Sequence, residues 1–120
     1  MSGLVVFKES EIAPQADPPF FPEALVGNPK SWGWRIATSE DGLVASGFWK
    51  CTPGVWRMDY KLWEFCHVIE GRCVITPTGG KPVHLAAGDA FVCEPGLQGT
   101  WEIVETMRKH FVVRRSGAVS

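Results

Sequence analysis

The chain has 120 residues, 45% of them apolar, and a formal net charge of −1, which suits one compact domain that buries a core without staples. The charge balance excludes electrostatic capture of nucleic acid or of an anionic membrane surface, and no run approaches the roughly 20 apolar residues of a membrane span. The start, Met-Ser-Gly-Leu-Val-Val-Phe-Lys, lacks a basic region followed by a long apolar stretch, so a soluble, cytoplasmic protein is expected.

Residues 4–7, Leu-Val-Val-Phe, read as a short strand that pairs with the domain's own edge or is exchanged with a partner. From Glu11 to Lys30 the chain carries Pro14, Pro18, Pro19, Pro22 and Pro29 and no sustained period of 2 or 3.6. Phe20, Phe21, Leu25 and Val26 are too apolar for a solvated linker, so this arm is expected to pack on the domain or on a second subunit. Residues 1–40 are accordingly assigned to an N-terminal strand and arm, and residues 41–120 to a barrel.

Short strands are expected at Leu43–Lys50, Val55–Tyr60, Glu64–Glu70, Cys73–Thr76, Val83–Leu85, Ala90–Cys93, Thr100–Val104 and Lys109–Val113. Turn signals separate them: Asp41-Gly42, Thr52-Pro53-Gly54, Pro77-Thr78-Gly79-Gly80, Gly88-Asp89 and Pro95-Gly96. Many short strands at this spacing, without a long amphipathic helix, indicate an all-β sandwich or barrel. Cys51, Cys66, Cys73 and Cys93 form no Cys-x-x-Cys pair and sit among Val, Phe, Ile and Trp, so they are read as buried, reduced thiols.

Two motifs stand out. The first runs from Gly54 through Arg57, Asp59 and Glu64 to Gly71, with six residues between Glu64 and Gly71. The second runs Gly88-Asp89 to Pro95-Gly96, then Gly99 and Trp101. Together they resemble the cupin family, whose signature is a glycine, His-x-His, a glutamate three or four residues on, and a second glycine after six more. Arg57 and Asp59 stand where the two histidines of that signature would be, and Gly99 stands at the third, so three of the four usual metal ligands are replaced. Within the cupins, Trp63-Glu64-Phe65-Cys66-His67, Gly88-Asp89, Pro95-Gly96, Gly99-x-Trp101-Glu102 and Arg108-Lys109-x-Phe111 resemble the small single-domain proteins classed with the (S)-ureidoglycine aminohydrolase cupin domain. That resemblance implies a double-stranded β-helix, or jelly-roll barrel, with Glu64 as an inward carboxylate and Trp101 in the cavity wall. The aminohydrolase itself uses manganese, two cupin domains and histidine ligands.

In the implied register, alternation places Arg57 with Asp59, Glu64 with Cys66, and Gly99 with Trp101 in the barrel mouth, with Tyr60 and Gln98 near the rim. Arg57, Asp59, Tyr60, Glu64, Cys66, Gln98 and Trp101 form the expected ligand-binding set, and Glu64 and Asp59 are the candidate catalytic acid or base. Arg57 would pair with Glu64 or Asp59 in place of a metal, since a guanidinium stays charged in a protein. No cofactor is expected; if a divalent ion such as Mn²⁺ or Zn²⁺ were bound, Asp59, Glu64, His67 and Gln98 would be the ligands. His67, an odd number of residues from Glu64, should face the other side of its strand, and His84 and His110 read as surface or packing residues. Arg108 and Lys109 read as a solvated edge.

Three functions fit: a metal-independent module binding a small polar metabolite, an enzyme working through metal or carboxylate chemistry (a ureidoglycine aminohydrolase-like hydrolase, an isomerase or an epimerase), and a structural role. The apolar N-terminal segment points to a homodimer.

Overall fold

The computed structural model describes residues 3–8, 15–16 and 24–115. Among them are nine strands: β1 (Gln15–Ala16), β2 (Ala24–Val26), β3 (Ser31–Thr38), β4 (Val44–Cys51), β5 (Gly54–Asp59), β6 (Trp63–Pro77), β7 (Val83–Ala86), β8 (Ala90–Cys93) and β9 (Gln98–Arg114). All pairings are antiparallel.

The longest strand, β9, organises the sheet. Along one edge it pairs with β6, from Trp63 opposite Arg114 to Pro77 opposite Gly99. Along the other edge β4 and β5 lie end to end, β4 from Val44 opposite Arg114 to Cys51 opposite Met107, and β5 from Gly54 opposite Ile103 to Asp59 opposite Gln98. Strands β3 and β2 flank β4 and β5, and β8 and β7 flank β6. The sheet curls into a jelly-roll barrel, the all-β fold expected.

The turns follow the sequence. Gly42, Gly79, Gly88 and Gly96 have φ of 75°, 76°, 96° and 96°, values that L side chains rarely adopt. Asp41 Oδ1 accepts from the Ser39 hydroxyl and the Leu43 amide, closing the β3–β4 turn, and Asp89 Oδ2 accepts from the Ala86 amide at the β7–β8 turn.

The two strands expected at 64–70 and 73–76 are one strand, β6, and those at 100–104 and 109–113 are one strand, β9. Register shifts between Val68 and Cys73 explain the misreading. In β6 the even residues Glu64, Cys66 and Val68 are buried before this irregularity, and the odd residues Cys73 and Ile75 after it. Inserting residues into one strand of a pair reverses which side chains face in, so no single alternation runs through the strand.

Two further corrections concern the N-terminal part. Residues 4–7 form no strand; Leu4, Val5 and Val6 are exposed, while the Phe7 ring packs on Phe48 and His110 at 5.5 and 5.8 Å. Ser31–Thr38, given no strand in the sequence reading, is β3 and an integral part of the sheet. Leu25 and Val26, expected to pack on the domain or on a second subunit, lie exposed on β2 in the single chain; Pro14, Pro18, Pro19, Phe20, Phe21 and Pro22 lie outside the described residues.

The apolar core of the barrel comprises Trp49, Cys51, Trp56, Met58, Cys66, Val68, Cys73, Ile75, Cys93, Trp101, Ile103 and Met107. Three indoles form its middle: Trp56 stacks on Trp101 at 5.8 Å, and Trp49 meets the two at 6.2 and 6.1 Å. Such pairs are worth about 0.5–1.5 kcal/mol beyond the area they bury. All four cysteines are buried free thiols, as expected.

Candidate functional site

At the centre of this apolar interior lie two charges. Glu64 on β6 and Lys109 on β9 are 8% and 3% exposed, and the Lys109 ammonium donates to Glu64 Oε2 at 3.0 Å and to Cys66 Sγ at 3.2 Å. The ammonium also lies 4.7 Å from the Trp49 ring centre and 4.8 Å from that of Trp101, within the range of cation–π attraction. The other carboxylate oxygen, Oε1, accepts from the Tyr60 hydroxyl at 2.6 Å. Tyr60 in turn lies 6.3 Å from Trp101, nearly parallel to it.

Burial dominates the proton equilibria here. It pushes the Tyr60 hydroxyl well above its ordinary range, with Glu64 adding to the effect. It also raises Cys66 despite the neighbouring Lys109, and moves Cys73 and Cys93 up to about 11, so all three thiols stay protonated at neutral pH. Burial pulls Lys109 down, but Cys66 and Glu64 outweigh it and hold the ammonium above the usual lysine value.

One polar atom in this interior is unmatched. Trp101 Nε1 is the buried side-chain nitrogen or oxygen without a hydrogen-bond partner among the described residues. The indole lies close enough to Cys73 to oppose slightly the rise of that thiol, but not in hydrogen-bonding geometry, and sulfur is a weak acceptor. Buried donors are nearly always matched.

Glu64, Cys66 and Trp101 therefore occupy the interior as expected, and Tyr60 reaches in beside them. Arg57 and Asp59 do not. The buried residues of β5 are Gly54, Trp56 and Met58, while Arg57 and Asp59 are exposed, Asp59 pairing with Lys61 at 3.1 Å on the surface. A one-residue difference in register turns every side chain of a strand over, and the interior takes an indole and a thioether in preference to two charges that would have to be desolvated. Gln98 is also exposed. His67 lies on the face opposite Glu64, as expected, its ring stacked on that of His110 at 5.6 Å. The expected pairing of Arg57 with Glu64 or Asp59 does not form: Glu64 pairs with Lys109 and Asp59 with Lys61.

Lys109, Trp49, Trp56 and Cys93 were missed as parts of this centre. A partial signal for Lys109 was present: Trp101, Ile103, Met107 and Phe111 share its parity along β9, a row broken by the exposed Glu105.

A divalent metal does not fit this arrangement. Glu64 offers one oxygen to Lys109 and the other to Tyr60, an ammonium already stands beside the carboxylate, and no group of three or more His, Cys, Asp or Glu among the described residues could hold an ion. Asp59, Glu64, His67 and Gln98, the ligands named for that case, are spread over the interior and the outer surface.

The curled antiparallel jelly-roll barrel is the architecture found in cupins. Residues 38–111 match the family model described as the EutQ-like cupin domain, and the chain belongs to that family. No curated protein matches it. Among solved structures, it superposes with a TM-score of 0.73 on a protein of unknown function of the DUF861 family from Pseudomonas syringae pv. tomato, at 22% identity, covering 84% of this chain and 43% of that one. The chain thus spans less than half the length of that protein. It is also similar to a putative ethanolamine utilization protein Q from Salmonella typhimurium (TM-score 0.63, 19% identity, 73% and 72% of the two chains) and to ectoine synthase from P. lautus (0.67, 17%, 92% and 78%). At these identities the likeness is one of fold.

Proposed function

We propose that this cupin domain binds a small polar metabolite in its barrel without a metal ion, through the Tyr60–Glu64–Lys109 cluster and Trp101. The observation that carries this reading is the unpartnered indole N–H of Trp101 beside a buried ammonium. Both are donors, and both lie in an interior whose carboxylate is already satisfied. The ligand is therefore one that presents acceptor oxygens, such as a carboxylate or carbonyl, to Trp101 Nε1 and Lys109. Because two donors occupy Glu64, that residue is poorly placed to take a proton from a substrate, which weighs against carboxylate-based hydrolysis of the ureidoglycine type.

The test is a thermal-shift and calorimetric screen of carboxylate and carbonyl metabolites against the wild type and Trp101→Phe, which keeps an aromatic ring and removes the N–H. A ligand that binds the wild type and loses affinity in Trp101→Phe supports the proposal; equal binding by both places the ligand elsewhere. The exposed run Leu4, Val5 and Val6, at 75%, 56% and 58%, supports a homodimer, and sedimentation as a monomer at micromolar concentration would remove that part.

A further inference from the structure

The Lys109 ammonium is enclosed by aromatic faces and hydrogen-bond acceptors. Two indole faces lie 4.7 and 4.8 Å from Nζ, a carboxylate oxygen accepts at 3.0 Å, and a thiol sulfur accepts at 3.2 Å. Aromatic faces with a carboxylate are the means by which proteins recognise ammonium ligands. Each part is fixed independently of the lysine. Trp101 is held by stacking on Trp56 and by its tilted contact with Trp49; Glu64 is held by the Tyr60 hydroxyl on its other oxygen; Cys66 and Glu64 share one face of β6 across from β9.

We propose that the centre of the barrel is a preformed binding site for a primary ammonium ion, which the protein fills with its own Lys109. The tethered cation offsets the Glu64 charge, as a bound cation would, and leaves no seat there for an amine from solution. Removing the lysine side chain beyond Cβ opens a site for a short primary ammonium ion, n-propylammonium reproducing the atoms removed. This inference concerns the same barrel centre as the proposed function but does not depend on the metabolite, because it is tested with an amine and a variant that lacks Lys109.

The experiment compares wild type, Lys109→Ala and Lys109→Met in thermal unfolding with increasing n-propylammonium, using 1-propanol as the neutral control of similar shape and sodium at matched ionic strength. The expected result is a melting temperature of Lys109→Ala that climbs with the logarithm of propylammonium concentration. The wild type, whose seat is taken, and Lys109→Met, whose side chain fills the space without charge, stay unchanged, and 1-propanol has no effect on any of them. Glu64→Gln in the Lys109→Ala background should reduce the response at least tenfold in amine concentration. If Lys109→Ala does not fold alone, refolding it from denaturant must succeed with propylammonium and fail with 1-propanol. An equal response of all three proteins, equal rescue by amine and alcohol, or no response of a folded Lys109→Ala overturns the proposal.

Discussion

Lys109 Nζ and Glu64 Oε2 lie 3.0 Å apart although 45 positions separate the two residues in the chain. Breaking a buried pair from one side leaves the other charge uncompensated, at a cost of about 3–5 kcal/mol. Lys109→Met and Glu64→Gln should therefore each destabilise strongly in urea titrations. The double variant Glu64→Gln/Lys109→Met should lose much less than the sum, because neither charge is left alone. Additive losses would show that the two groups are not coupled.

Proton linkage gives stability a definite direction with pH. Burial pushes Cys73 and Cys93 up to about 11 in the native state, against an ordinary 9.0. Above pH 9 the unfolded chain therefore releases thiol protons that the native state retains, and stability falls up to about pH 11 before these groups level off. Tyr60 and Lys109, both raised above their ordinary values, carry the loss further into alkali. On the acid side His110 is lowered by burial, His67 and Arg108, so stability falls as pH drops below 6.5. Melting temperatures across pH 5 to 11 should thus form a plateau falling at both ends, with a shallower alkaline limb in Cys73→Ala or Cys93→Ala.

Gly47 and Gly79 make opposite cases. A Cβ on Gly47 would collide with the Trp34 carbonyl on the neighbouring strand, whereas one on Gly79 meets nothing within 4 Å. Gly79→Ala carries only the backbone cost of its positive φ, about 1–2 kcal/mol. Gly47→Ala requires β3 and β4 to separate and should exceed 3 kcal/mol, on the order of the larger overpacking penalties. Chemical denaturation of the two variants side by side reads the difference, and equal costs would contradict the close approach.

Arg57→Ala should change neither stability, beyond about 0.5 kcal/mol, nor affinity for any ligand of the barrel, because the side chain is exposed on the outer surface. Loss of ligand binding in Arg57→Ala with the fold intact would return Arg57 to the interior and reverse the assignment of faces along β5.

The sequence reading placed Glu64 and Cys66 correctly because Trp63–Val68 alternates without interruption and shares its face with core residues. On β5 both parities carry plausible pocket residues, Trp56 and Met58 on one side and Arg57 and Asp59 on the other. Local pattern does not choose between them. The choice comes from the pairing of Trp56 with Trp101 and of Met58 with Gly99, contacts to a strand more than 40 positions away. Lys109 was misplaced for a related reason: its neighbours Arg108 and His110 made the segment look solvated, and only pairing with β6 brings the lysine opposite Val68 and next to Glu64 and Cys66.

By itself the sequence determined the all-β class, most of the strands and turns, the four buried thiols and the cupin frame, because alternation, turn glycines and motif spacing are short-range and survive in the unfolded chain. The tertiary structure decided which face of β5 looks inward, joined β6 and β9 across their irregular middle, and chose the cation that meets Glu64. Those outcomes depend on strand register and on the cost of burying charge, and both are fixed only when distant strands pair.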